Sequence, residues 1–66
     1  MTITINGEPC EVPPGTRVPA LLEMHGLNAG RVAIERNMEI LPREQWAVTE
    51  VTAGDRYEIV HFVGGG

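Results

Sequence analysis

A chain of 66 residues holds material for one small domain with a single thin core. Such a chain buries only roughly 60% of the surface its unfolded form exposes, which excludes a deep, water-free catalytic cleft. A net charge of −4, with 42% hydrophobic and 21% charged residues, fits a folded globular domain and argues against nucleic acid or an anionic membrane as the main partner.

All basic side chains are arginines, so the chain has no side-chain amine to acylate. General arginine-for-lysine usage is the plainer account of this. The single cysteine, Cys10, makes no internal disulfide, and there is no thiolate set for a structural metal. The apolar runs are too short to span a membrane, and Met1-Thr2-Ile3 does not open a signal peptide. A reducing cytoplasm is the expected location.

In chain order, alternating β-branched residues around Asn6-Gly7 predict a hairpin, because both residues of the favoured turn take positive φ. That register sets Ile5 opposite Glu8, Ile3 opposite Cys10 and Met1 opposite Val12. Met1, Ile3, Ile5, Cys10 and Val12 then share one face, and Thr2, Thr4 and Glu11 take the other. Pro13-Pro14-Gly15 ends the second strand. A helix is expected over about residues 16 to 25, with Thr16 as its cap and Pro19 in its first turn. Val18, Leu21, Leu22 and His25 form its apolar stripe. Gly26 and Leu27 then fit a Schellman end, with Leu27 packing on Leu22.

Arg31 to Arg36 reads as a third strand, with Val32 and Ile34 on one face and Ala33 and Glu35 on the other. Asn37-Met38 predicts a turn, although Met lacks the conformational freedom of Gly. Glu39-Ile40-Leu41 reads as a short fourth strand, and Pro42 to Trp46 as one helical turn. Arg56 to Val63 is the last strand, after turn chemistry at Thr52-Ala53-Gly54-Asp55. Two hairpins flanking one helix make an α+β domain, a sheet of four to five strands with the helix across one face.

The chain closes on Gly64-Gly65-Gly66. Glycines extend a strand poorly, so a flexible tail over residues 64–66 is expected to project from a domain of residues 1–63. Its only reactive group is the Gly66 carboxylate. A frayed end is the plain alternative. In the last strand Tyr57 and Ile59 share one face, and Glu58, Val60 and Phe62 share the other. One face must meet the helix, so apolar side chains are left on the open face. Val60 and Phe62, beside the tail, are the candidate docking surface.

The chain resembles the ThiS family of ubiquitin-like β-grasp sulfur carriers in thiamine biosynthesis. The matching residues are Ile3-Thr4-Ile5-Asn6-Gly7-Glu8, Leu21-Leu22-Glu23, Val32-Ala33-Ile34-Glu35-Arg36-Asn37 and Pro42-Arg43-Glu44-Gln45-Trp46. Gly54-Asp55-Arg56, Glu58-Ile59-Val60 and the glycine tail complete the match. Met38 stands where many members have Gly. The resemblance implies a mixed sheet and a carrier, not an enzyme, that binds no cofactor itself. A ThiF-type, E1-like adenylating enzyme would use ATP to activate Gly66. A sulfur donor, typically a cysteine desulfurase, would then convert it to a thiocarboxylate for a ThiG-type thiazole synthase. Gly64 and Gly65 would thread into those partners' active sites. A MoaD-like carrier for molybdopterin, a carrier for another thiolation pathway, and a ubiquitin-like protein modifier are the alternatives. The first two are usually longer chains.

Other polar residues have structural readings. Cys10 lies on the apolar hairpin face and behaves as a small hydrophobe. His25 suits a helix C-terminus. A Cys10–His61 nucleophile pair would need a third, orienting group and a pocket.

Overall fold

The computed structural model describes residues 1–62. Val63, Gly64, Gly65 and Gly66 lie outside the described residues, so the expected tail and the end of the last strand fall beyond them. The strands are β1 (Thr2–Ile5), β2 (Glu8–Glu11), β3 (Val32–Arg36), β4 (Glu39–Ile40) and β5 (Arg56–His61), with one helix, α1 (Val18–Met24). They form a sheet of order β2-β1-β5-β3-β4. β1 and β5 run parallel, and the other neighbours are antiparallel.

The first hairpin has the expected register, Ile5 opposite Glu8 and Ile3 opposite Cys10. Met1 and Val12 exchange backbone hydrogen bonds at 2.9 Å and extend it. Asn6 and Gly7 both take positive φ, at 52° and 81°. Pro9 lies on the sheet edge, where a missing N–H costs no ladder bond.

α1 is shorter than expected, and Thr16 is not its cap. Arg17 holds that position without a side-chain bond. The Thr16 hydroxyl instead donates to the Pro13 carbonyl at 2.7 Å, closing the Pro-Pro-Gly turn and becoming buried itself. The C-terminus is a Schellman end. Gly26 has a φ of 67°, its amide donates to the Glu23 carbonyl at 3.1 Å, and the Leu27 amide donates to Leu22 at 2.9 Å. The apolar stripe stops at Leu22. His25 caps the helix and is exposed, because at this end the helix meets only the edge strand β2.

The core lies between α1 and one face of the sheet. It comprises Ile3, Val12, Val18, Leu21, Leu22, Val32, Ile34, Trp46, Val51, Tyr57 and Ile59. The segment after β4 forms a 3₁₀ helix, Arg43–Val48, longer than the expected single turn. It exists to bring Trp46 under α1, and the indole N–H donates to the Leu41 carbonyl at 3.0 Å. Arg43 stacks 4.3 Å from the Trp46 ring centroid and donates to the Val32 carbonyl at 2.8 Å, occupying an edge acceptor of β3. A further 3₁₀ turn, Ala29–Arg31, precedes β3, whose start is therefore one residue later than its sequence pattern suggests. Among the described residues no helix is long and apolar enough to cross a membrane.

Candidate functional site

β5 occupies the middle of the sheet and carries the chain towards Gly64-Gly65-Gly66. Its start is held by a polar network around Asp55. That carboxylate accepts from Arg36 Nε at 3.0 Å, the Thr52 amide at 2.9 Å, the Tyr57 hydroxyl at 3.0 Å and Asn37 Nδ2 at 3.1 Å. Burial pushes the Asp55 carboxyl up, yet these four donors together hold it below the usual carboxylate range. Burial, then the bond to Asp55, pushes the Tyr57 phenol up to about 12.

Beyond Asp55 the strand alternates. Tyr57 and Ile59 are buried under α1, whereas Arg56, Glu58 and Val60 are exposed on the open face. Pairing continues past His61, since the Phe62 amide donates to the Arg31 carbonyl at 2.8 Å. Val60 and Phe62 are 60% and 56% exposed, so two large apolar side chains face solvent at the end of the described chain. Ala33 lies opposite Val60, and Ile40, 80% exposed, is paired with Glu35. The sequence pattern of β5 alone does not join Ala33 and Ile40 to this surface. Their signal was the alternation of β3 and the hairpin register.

The predicted Gly64, Gly65 and Gly66 lie outside the described residues. Cys10 is half-buried against the core, less enclosed than its register suggested, because β2 is an edge strand. Its Sγ lies 3.3 Å from His25 Nε2. His61 is on β5, separated from β2 by β1, so Cys10 and His61 are not brought together. Among the described residues no group of three or more His, Cys, Asp or Glu side chains could hold a metal ion.

A mixed sheet with a parallel central pair, one helix across one face and a glycine run after the central strand defines a ubiquitin-like β-grasp domain. The ThiS family model matches residues 3–66, and the chain belongs to the ThiS family. It superposes on the thiamine biosynthesis protein ThiS from Geobacter metallireducens with a TM-score of 0.86 at 38% identity, covering 100% of both chains. It is 33% identical over 66 residues to the sulfur carrier protein ThiS of Escherichia coli (strain K12), covering 100% of each. It is also 44% identical over its full length to a thiazole synthase of Paramagnetospirillum magneticum, of which it spans only 20%. A second thiazole synthase, from Magnetococcus marinus, is likewise matched over 20% of its length.

Proposed function

We propose that the protein is a sulfur carrier of thiamine biosynthesis that works through a thiocarboxylate on Gly66. The family match through residue 66, glycine run included, carries this reading. A carboxylate is a poor electrophile until one oxygen becomes part of a good leaving group. Attack of the Gly66 carboxylate on the α-phosphate of ATP releases pyrophosphate and leaves an acyl-adenylate. The terminal sulfur of a persulfide donor then attacks the acyl carbon and displaces AMP, and a thiol cleaves the resulting acyl disulfide to the thiocarboxylate, itself ending in a disulfide. The chain is the substrate in these steps, since a domain of this size encloses no adenylate. A partner supplies water exclusion and electrostatic stabilisation. A ThiF-type enzyme fits the first step, a cysteine desulfurase or similar donor the second, and a ThiG-type thiazole synthase the last. The thiazole synthase relatives that contain a region like this chain support the last of these.

The exposed Val60 and Phe62 suit a docking surface continuous with the tail. The glycines add no side chain, so they can thread a narrow channel that Cβ atoms would obstruct.

Mass spectrometry of the 66-residue protein after incubation with ATP, the adenylating enzyme and a sulfur source tests the reading. The expected result is one oxygen-for-sulfur exchange on the free protein, without cross-linking. Gly65→Val keeps the length and the carboxylate, and should fold normally but load poorly. Deleting Gly65 and Gly66 withdraws the carboxylate by about 7 Å and should abolish loading. Equal loading of the parent and both variants would overturn the proposal, and attachment to lysines would favour a protein modifier.

A further inference from the structure

Glu35 and Glu58 stand directly opposite each other on β3 and β5. Both are exposed on the open face, and an antiparallel pair of this kind holds its Cβ atoms within about 5.5 Å. Like charges so placed destabilise a sheet. Among the described residues the ion pair present is Arg36–Asp55, which leaves neither glutamate neutralised in that way. Arg56 shares their face and lines a depression with Glu35, Met38 and Glu58, yet forms no ion pair with them.

On the side away from Arg56 the carboxylate pair borders apolar surface. A depression on the open face is lined by Ala33, Ile34, Glu35, Ile40, Glu58 and Val60. A purely apolar occupant would strip water from two unpaired carboxylates, at a cost it could not offset. A second copy of this chain would bring another carboxylate pair against the first. A cation on an otherwise apolar surface satisfies both features. Covering the depression lowers the local dielectric and strengthens its attraction to two anions at once. A guanidinium fits better than an ammonium, because its planar fork offers donors along more than one edge.

We propose that the open face receives an arginine of an apolar partner surface between Glu35 and Glu58. This inference rests on the carrier reading above and gives the chemistry that the adenylating enzyme would present beside the channel for the tail. Met38 and Ile40, each 80% exposed, continue the apolar rim away from Val60 and Phe62.

The test is ATP–pyrophosphate exchange by the cognate ThiF-type enzyme, with the full chain as variable substrate. Glu35→Gln and Glu58→Gln are made singly and together. The double variant should raise the KM for the carrier about tenfold or more, with kcat at saturation within about twofold of the parent. The parent's KM should rise with salt, and the double variant's should respond much less. The melting temperature of the free double variant should equal or exceed the parent's, because a repulsion has been removed. A purely structural role would lower it. An unchanged KM and salt response, with exchange intact, would overturn this inference alone. Absence of exchange with the parent chain would overturn the carrier reading and this inference with it.

Discussion

Asn6-Gly7 and Asn37-Met38 close two hairpins with the same backbone geometry, but only the first has the residue that geometry favours. In each loop both residues have positive φ, with Gly7 at 81° and Met38 at 72°. In each, the asparagine reaches sideways to β5. Asn6 accepts from the Ile59 amide at 2.8 Å and donates to the Ile59 carbonyl at 3.1 Å. Asn37 accepts from the Arg56 amide at 2.9 Å, and its Nδ2 donates to Asp55. The central strand is thus clamped from both sides by side chains that mimic ladder partners. The second hairpin tolerates a methionine in a left-handed conformation, which costs about 1 kcal/mol or more, because the Asp55 network fixes its end independently. The first hairpin has no such network and relies on Gly7 and Asn6. Strain sits where a second set of bonds over-determines the backbone, and here that place is also the rim of the open face.

Removing the network is the strongest way to break this asymmetry. Asp55→Ala should cost about 3 kcal/mol in urea unfolding, because the buried Tyr57 hydroxyl, the Thr52 amide and Arg36 lose a shared acceptor. The folded Asp55 carboxyl lies below its unfolded value. Its contribution is therefore complete above the unfolded carboxylate pKa of about 4 and is lost as pH falls through the folded value. The Tyr57 phenol is raised to about 12, so its contribution is complete below the unfolded pKa of about 10 and fades as pH rises towards the folded one. The stability gap between the parent and Asp55→Ala should then be flat from about pH 5 to about pH 9 and shrink in stronger acid. A gap that persists unchanged at pH 2 would show that Asp55 acts through shape and not charge.

The hairpin at Asn6-Gly7 was legible because turn chemistry and alternation agreed, and so were the Schellman end at Gly26 and the faces of β3 and β5. Thr16 misled because a threonine before a helical stripe has two local uses. Its hydroxyl closes the preceding turn instead of capping α1. His25 fits the helical spacing, but periodicity does not say that this end of the helix meets only the sheet's edge strand, where the ring stays exposed. The Asp55 network joins residues 36–37 to residues 52–57; its bonds to Thr52 and Tyr57 are local, but the pairing with Arg36 and Asn37 carries no local signal. Pairing of β1 with β5 is equally non-local, and the mixed sheet was expected only through the family resemblance. Of the candidate site, the exposure of Val60 and Phe62 followed from strand parity. The acidic pair did not, because it depends on the register of β3 against β5.

A smaller effect separates the two asparagines. Asn6→Ala should cost about 2 kcal/mol, since both the amide and the carbonyl of Ile59 lose their partners in a partly buried setting. Asn37→Ala should cost about 1 kcal/mol, because the lost bond to the Arg56 amide is exposed and Asp55, which loses one donor, keeps three others. Asn6→Gly and Asn37→Gly remove the positive-φ penalty and leave only the side-chain bonds to compare. Equal losses in that glycine pair would mean that the two clamps are equivalent and that the network adds nothing to the second.

The finest test exchanges the second turn residues. A Cβ added at Gly7 meets no atom within 4 Å, so Gly7→Ala isolates the backbone term and should cost about 1 kcal/mol. Met38→Gly is the reverse experiment. Relief of left-handed strain is partly offset by the greater freedom of glycine in the unfolded chain, leaving a net gain of about 0.5 kcal/mol. Met38 is 80% exposed, so little apolar burial is lost. For a domain of this size the gain should raise the melting temperature by about 2–4 °C. If Met38→Gly instead lowers it, the methionine side chain stabilises the free protein by packing across the depression it shares with Glu35, Arg56 and Glu58. The strain at residue 38 would then be balanced within the domain itself, with no need for the Asp55 network to absorb it.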